Sequence, residues 1–487
     1  MKLTITLILV AAGSLVFGQV ESLPAPVVHG NSFEIISNSR YSSHSGFTTA
    51  LSDTVLSNVL WAMNRVPSFG SGYREFYVAT PSNVYLYDPV AHALDVHLAG
   101  NHRYSSSSAF EIGVAVERNE EAGLAIAAGL LAGDAFWSRG SGTVTSCPMA
   151  FAANYANSNW NPNHTILMVD VFGRMSVTGL TDSCVAISSD STLPRPATSA
   201  ADTFEVVMAD LGQDSVFDPA VLPLQDLSQL LWAGYGVTPH MPIGKRGLTI
   251  ASAVANYYLT QHVYLVGDTA VFRYHNRLPP GTNMSTSDHR LQLVTSGNRR
   301  DSLRAASARI PRAAPAYIVV CYTDTTTAWA ILEAGFAGFQ YLAEARAMGL
   351  AGCLTAPLSP TERAAIRAAL GLPGTEFPLI VFSAGQFVTG TEERQIQTGT
   401  GLRVRPSPGL PVRIEYTLER PAAVEFTIHD LAGRTVRTWT EKPAAAGQHV
   451  ASWPGTDNRG KPVPAGVYLC VMKSGDATAS ARIVLPR

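Results

Sequence analysis

Few residues in this chain could do chemistry, and their spacing narrows what that chemistry would be. There is no Gly-x-Ser-x-Gly turn, no His-Glu-x-x-His and no phosphate loop, and hydrolase, nucleic-acid and metal readings lack a supporting constellation. Cys147, Cys184, Cys321, Cys353 and Cys470 are scattered and include no Cys-x-x-Cys. They form neither a disulfide scaffold nor a zinc site and read as small buried hydrophobes. The segment that stands out is Arg65-Val-Pro67-Ser68-Phe-Gly70-Ser-Gly-Tyr73-Arg-Glu-Phe-Tyr77. Gly70 permits close backbone approach to a bound group, while Ser68 also suits a helix N-cap; the two readings are compatible.

The elements that must position these residues come from a long, apolar chain. Its 487 residues suggest roughly three domains. Hydrophobic residues make up 46% and charged residues 15%, which fits packed domains and excludes disorder. A net charge of −2 implies no broad pull toward nucleic acid or anionic membranes. Lys2 followed by an apolar run from Leu3 to Phe17 has the layout of a secretory signal peptide ending near Gly18. The run falls short of the ~20 residues that span a bilayer.

The middle of the chain is written twice. His92-Ala-Leu-Asp-Val-His-Leu-Ala-Gly100-Asn101-His-Arg103 aligns without gaps to His289-Arg-Leu-Gln-Leu-Val-Thr-Ser-Gly297-Asn298-Arg-Arg300. Upstream, Leu56-Ser-Asn-Val-Leu-Trp61-Ala62 matches Leu227-Ser-Gln-Leu-Leu-Trp232-Ala233. Val84–Tyr87 matches Val271–Tyr274, and strand-like Phe110–Val116 and Tyr317–Tyr322 each precede a helix rich in Ala and Gly. Each half therefore reads as a helix, a small-residue helix start, two strands, a variable loop, a strand and a long buried helix, an α+β layering. The spacing predicts a helix over Thr326–Leu350, buried on nearly all sides. It predicts another over Pro360–Leu370 with Ser359 and Glu362 as a capping box, then a buried strand Leu379–Phe382. Residues 138–163, rich in Ser, Gly and Asn, read as a loop or remodelled segment.

These motifs resemble the FMN-dependent nitroreductase family, and within it the SagB-type dehydrogenases. Leu227–Gly236 resembles that branch's early helix, Arg65–Val78 its Pro-Ser-Ala-Gly segment, and Ala251-Ser252-Ala253-Val254-Ala-Asn-Tyr257 the same segment in the second half. Glu333-Ala-Gly335-Phe-Ala-Gly-Phe-Gln340, followed by Gly349-Leu350, resembles the family's interface helix. The resemblance covers roughly residues 40 to 385. It implies two tandem nitroreductase-like domains forming an intramolecular pseudo-dimer, hence a monomer, with FMN between the halves and hydride transfer carried by the flavin. On this reading no separate catalytic residue and no metal is expected.

The resemblance implies cofactor-binding roles for Arg65, Pro67, Ser68, Gly70, Arg174, Ser252 and Ala253. The family grips the FMN phosphate with arginines on an opening segment, because a guanidinium bonds phosphate oxygens bidentately. Here the matching stretches are Tyr41–Phe47, with Arg40 nearby, and Leu211–Phe217, where Asp214 would repel a phosphate. Arg65, Arg174 and His44 are the substitute cations, although lone charges are ordinarily surface residues. Two readings follow: an exported FMN-dependent oxidoreductase, or a non-catalytic surface or binding protein that keeps the fold without FMN.

Residues 402–411 are Pro-rich and read as a linker. Beyond them Ile414–Leu418, Ala423–His429, Thr435–Glu441, Gln448–Ser452, Gly466–Met472 and Thr478–Leu485 read as strands of a sandwich, with a hairpin turn at Asp430–Arg434. Trp453–Tyr468 resembles the immunoglobulin-like domain of FlgD-type hook-capping proteins, which implies a sorting or surface-delivery module and outer-membrane secretion machinery as a partner. Asp457 has too few carboxylates around it for a calcium loop and reads as a turn residue. The resulting organisation is a signal peptide at 1–18, repeats at 19–190 and 191–400, and an all-β immunoglobulin-like sandwich at 401–487, in a protein placed at the cell surface, in the periplasm or outside the cell.

Overall fold

The structure is a computed structural model. It describes residues 20–485 apart from 28–29, 41, 43–46, 48–49, 137–142, 176–179, 182, 184, 188–190, 201, 240–246, 253–255, 278–285, 388–400, 406–411, 419–421, 431–433, 445–446, 465 and 475–476. The signal-peptide segment, His44, Cys184 and Ala253 therefore lie outside the described residues.

The first half runs β1 (Val20–Ser22), α1 (Phe33–Ser39), α2 (Asp53–Arg65), β2 (Arg74–Ala79), β3 (Asn83–Asp88), β4 (Ala93–Ala99), β5 (Phe110–Val116), α3 (Asn119–Asp134), β6 (Thr143–Met149), α4 (Ala150–Asn159) and β7 (Met168–Met175). The second runs β8 (Ala186–Ile187), α5 (Phe204–Ala209), β9 (Phe217–Asp218), α6 (Leu224–Tyr235), β10 (Val237–Thr238), β11 (Gly247–Leu248), β12 (Val263–Val266), β13 (Ala270–Arg277), β14 (Thr286–Ser296), α7 (Arg300–Ala306), β15 (Ala316–Tyr322), α8 (Ala328–Ala347), β16 (Ala351–Thr355), α9 (Pro360–Leu370) and β17 (Phe377–Phe387). Strand order is β1-β4-β3-β2-β5-β7-β6 in one sheet and β8-β14-β13-β12-β15-β17-β16 in the other. Position for position, the two orders match. One difference is at the edge: β1 joins β4 antiparallel, whereas β8 joins β14 parallel. The chain has thus joined the second sheet before residue 191.

A single hydrophobic core runs through both halves, from Phe33 and Ile36 through Leu124 and Ile126 to Phe336, Phe339 and Phe382. The reason lies in α3 and α8, which are apolar on every face and buried along nearly their whole length. They pack on each other where Gly123 meets Gly335. A Cβ on Gly123 would come 2.8 Å from the Gly335 Cα and 2.2 Å from the Leu332 carbonyl, so no side chain fits. The predicted long helix is α8, a little shorter than expected. The capping box at Ser359 and Glu362 forms with both of its hydrogen bonds, and Gly371 ends α9 in the left-handed conformation.

Three expectations are corrected. Residues 138–163 are not a loop: their described part forms β6 and α4. Ala152, Ala153 and Ala156 bury one helix face, and Asn157 spans from the Ala153 carbonyl to that of Ile166. Trp160 then fills the space beside Gly113. Small apolar residues on one face outweighed poor intrinsic propensity. Second, no helix begins at Ser68; the chain bends and enters β2, so Ser68 is not an N-cap. Third, the linker at 402–411 begins as a strand, β18 (Gly401–Arg405).

The tail continues β19 (Val412–Leu418), β20 (Ala422–Asp430), β21 (Thr435–Ala444), β22 (Gly447–Trp453), β23 (Gly466–Ser474) and β24 (Ala477–Leu485), matching the six expected strands. They form sheets β18-β19-β22 and β21-β20-β23-β24 around buried Trp453, Phe426 and Ile414. Asp457 is a turn residue: its carboxylate accepts from the Arg459 and Lys461 backbone N–H groups at 2.8 and 2.9 Å. No cluster able to hold a metal occurs among the described residues, and no described helix is long and apolar enough to cross a membrane.

Candidate site between the halves

Setting Gly123 against Gly335 puts Glu121 in the place of Glu333, and Asp134 in the place of Arg346. Both glutamates are buried. Glu121 gathers the Pro-Ser segment: it accepts from the Phe69 backbone N–H at 2.9 Å, the Ser71 hydroxyl at 2.9 Å, the Ser68 hydroxyl at 3.2 Å and the Arg74 guanidinium at 2.8 Å. Glu333 accepts from the Tyr235 hydroxyl at 2.9 Å and the Leu259 N–H at 3.3 Å. Sequence reasoning missed both, although Glu-Ala-Gly recurs at 121–123 and 333–335.

The predicted site residues divide between two places. Arg65 does not reach toward an open space. Its guanidinium donates to the Met208 carbonyl at 2.7 Å and to the Ala209 carbonyl, closing the C-terminus of α5 across the interface, and it stacks over Trp61. Its donors are directed at a helix end, an arrangement suited to a cation. The Pro67 carbonyl accepts from Arg74 at 3.1 Å. Gly70 has φ +80 with no atom within 4 Å of a built Cβ, so conformation rather than space requires glycine. Ser252 belongs to the other place, where its hydroxyl accepts from the Tyr257 N–H at 2.9 Å. Arg174 lies on β7, on the side of the strand shared by Asp170 and Phe172.

That second place is built around Arg40, just after α1. Its Nε donates to the Leu248 carbonyl of the other half at 2.9 Å and its Nη1 to the Ser42 hydroxyl at 2.6 Å. Burial lowers its guanidinium from the usual value, with Asp134, Tyr257 and Cys147 opposing. Both carboxylate oxygens of Asp134 are buried without a hydrogen-bond partner among the described residues. Burial holds that carboxyl well above the ordinary range; Arg40 pulls it back and Asp170 pushes it further. Asp134 is therefore held toward its neutral form. Burial likewise pushes the Cys147 thiol to about 12, which removes it as a nucleophile.

The equivalent loop of the second half has the charges reversed. Arg346 pairs with Asp214 at 2.9 Å and Asp210 at 3.6 Å, and lies over the Phe387 ring. The Asp214 N–H also donates to the Gly352 carbonyl at 2.8 Å, tying the loop to β16.

A Ser–His pair occurs in each half, and neither is set for nucleophilic catalysis. Ser228 Oγ lies 2.7 Å from His289 Nε2 and donates to the Pro194 carbonyl at 2.6 Å; Tyr274 Oη lies 2.9 Å from His289 Nδ1. Ser57, His92, Tyr87 and Pro24 repeat this at 2.7, 2.8 and 2.5 Å. The serine proton is committed to a carbonyl, so the ring donates from Nε2 and accepts from tyrosine. Both histidines have positive φ, 50 for His92 and 42 for His289. Burial lowers both histidines, His289 to about 4. These are structural clasps joining the entering segment, the second helix (α2 or α6) and the hairpin of each half.

The fold is like that of solved nitroreductases. Residues 215–386 match the nitroreductase family, and residues 404–478 match the FlgD Ig-like domain. The chain thus carries a nitroreductase domain followed by a FlgD Ig-like domain. A solved structure of a proposed nitroreductase from Anabaena variabilis is similar at 12% identity and TM-score 0.51, covering 69% of this chain and 88% of that one. Residues 191–487 alone cannot supply that share, so the fold likeness extends into the first half. A proposed nitroreductase from Ralstonia eutropha aligns at 20% identity and TM-score 0.33 over 44% of this chain and 97% of its own. The microcin synthetase McbBCD complex of E. coli aligns at 17% identity and TM-score 0.28 over 37% and 72%. No curated protein matches. The match of residues 215–386 to the nitroreductase family supports a flavin-dependent oxidoreductase in general.

The residues present fit the FMN phosphate on one side only. At the Asp214 loop, two carboxylates face the position and the nearby cations Arg346 and Arg65 are engaged, so that side does not fit. At the Arg40 side a buried cation stands beside an acidic group whose two oxygens lack partners, which suits an added polar group.

Proposed function

We propose that this chain is an exported, nitroreductase-like flavin oxidoreductase, a tandem duplication acting as a single-chain pseudo-dimer with one FMN on the Arg40 side of the interface. The observation that carries the reading is the contrast between Asp134, buried with both oxygens unsatisfied beside Arg40, and the closed Asp214–Arg346 pair. Matching strand orders and the repeated Ser–His–Tyr clasps support the duplication. The N-terminal apolar run and the FlgD Ig-like domain support export.

Arg40 would hold the phosphate, with Arg174 adding positive charge from β7. Asp134, kept neutral by burial, would donate a hydrogen bond to a phosphate oxygen rather than repel it. Ser252 would stand on the ring side, with the rest of its segment. When bound, the flavin supplies hydride transfer, and the chain supplies binding, orientation and exclusion of water. The test is the visible spectrum of the full chain purified with added FMN and freed of excess flavin. One flavin per chain, lost in Arg40→Gln and retained in Asp214→Asn, is the expected result. Retention in Arg40→Gln moves the site elsewhere.

A second reading is a non-catalytic surface or binding protein. It is favoured by the Arg40 bonds to Leu248 and Ser42, which already employ two donors of the guanidinium. A colourless, folded wild-type chain would establish it over the first.

A further inference from the structure

Away from the interface, the first half carries a cavity of about 410 Å³ between the start of α2, the turn after β2 and the loop leading into β5. Its size is in the range of small-molecule sites. Phe47, Leu51, Leu56 and Phe110 supply an apolar wall, and two opposite charges, Asp53 and Arg103, line the same space. The Arg103 guanidinium is oriented by the Asn101 amide oxygen at 3.1 Å and by the Ser108 carbonyl; the buried Glu111 carboxylate attracts it, but it forms no ion pair among the described residues. The Asp53 carboxylate has no hydrogen-bond or ion-pair partner among them either.

The second half shows which parts belong to the scaffold. Arg300 repeats Arg103, bonding the Asn298 amide oxygen at 3.2 Å and the Pro315 carbonyl at 2.9 Å. The position of Asp53, however, falls on Leu224, which is 47% exposed. The arginine is thus a shared loop anchor, whereas the acid opposite it is peculiar to the first half.

We propose that this cavity binds an apolar α-amino acid, its carboxylate on Arg103, its ammonium on Asp53 and its side chain against Leu56 and Phe110. A neutral apolar molecule would leave Asp53 and Arg103 without an ion pair. A simple anion would meet the repulsion of Asp53, and a simple cation that of Arg103. A zwitterion with an apolar side chain matches all three features.

The test is isothermal titration of the full chain with L-phenylalanine, N-acetyl-L-phenylalanine and L-phenylalaninamide. The expected result is saturable binding of the free amino acid, with each blocked form at least tenfold weaker. Asp53→Asn should abolish discrimination against the acetylated form, and Arg103→Gln discrimination against the amide. Ala50→Trp, at an exposed lining position, should block binding without touching the core. Absence of saturable binding by the wild-type chain overturns the proposal, as does equal binding of the three compounds or binding unaltered by Ala50→Trp.

Discussion

The two halves of this molecule share a skeleton and differ in where they place charge. Each has the same strand order, the same clasp of serine, histidine and tyrosine, and the same glycine at the helix crossing. Around that frame, the first half puts Arg40 after its opening helix and Asp134 at the end of its long one. The second puts Asp210 and Asp214 after the opening helix and Arg346 at the end of the long one. In the second half the opposite charges meet and close the loop; in the first, burial leaves the acid without a hydrogen bond. The lesson is that one packing frame, set by shape complementarity, accommodates opposite arrangements of charge at its edges.

The largest expected effect breaks the frame itself. Gly123→Ala or Gly335→Ala drives a methyl into backbone, which should cost about 3 kcal/mol or more, beyond ordinary overpacking because backbone cannot rotate away. Urea unfolding measures it. A loss below about 0.5 kcal/mol, the usual surface range, would mean that the helices do not meet as described.

The next test concerns the clasps. The unfolded chain protonates histidine near the usual pKa of about 6.5, while His289 folded titrates at about 4. Between these values the unfolded state binds more protons, so stability falls as pH drops through this window. The His289 contribution to the loss is about 3 kcal/mol, complete below pH ~4. His289→Asn, which tolerates positive φ, should flatten that slope. An unchanged slope between pH 7 and 4.5 would remove the clasp from the account. His92 shifts in the same direction and is less buried, so His92→Asn should flatten it less.

Smaller effects sharpen the charge contrast. Arg346→Ala leaves Asp210 and Asp214 without their cation and should cost about 2 kcal/mol, as for a partly buried pair, with the loss reduced at acid pH. Equal losses at pH 4 and pH 8 would show that packing over Phe387, not charge, is the contribution. Asp134→Asn should act oppositely. The folded pKa of Asp134 lies above its unfolded value, so stability is lost as pH rises above ~4 through the folded pKa. The variant should gain about 1 kcal/mol at pH 8 relative to wild type and little at pH 4. A loss at pH 8 would show that ionised Asp134 is needed.

Much of the frame was legible in the residues. The gapless alignment of His92–Arg103 with His289–Arg300, in which His, Leu, Gly, Asn and Arg coincide, predicted the matched hairpins, because turn and clasp geometry require those residue types at those positions. Ser359 with Glu362 specified the start of α9, since capping is local. Residues 138–163 were misjudged: Asn-rich composition favours loops, and only packing of Ala152, Ala153 and Ala156 with the Asn157 bridge makes a helix there. The candidate site was less legible. The sequence singles out Ser68 and Gly70 but not Glu121, which gathers that loop from 53 residues away.

By itself, the sequence determined most element types, the repeated run of motifs and the sandwich tail, because periodicity, capping and repetition are properties of neighbouring residues. Tertiary structure decided which charges meet. Arg65 looked like a phosphate ligand and closes a helix end; Asp214 looked like a repulsive charge and is half of an ion pair. Electrostatic energy depends on separation and solvent exposure, and both are set by elements distant in sequence.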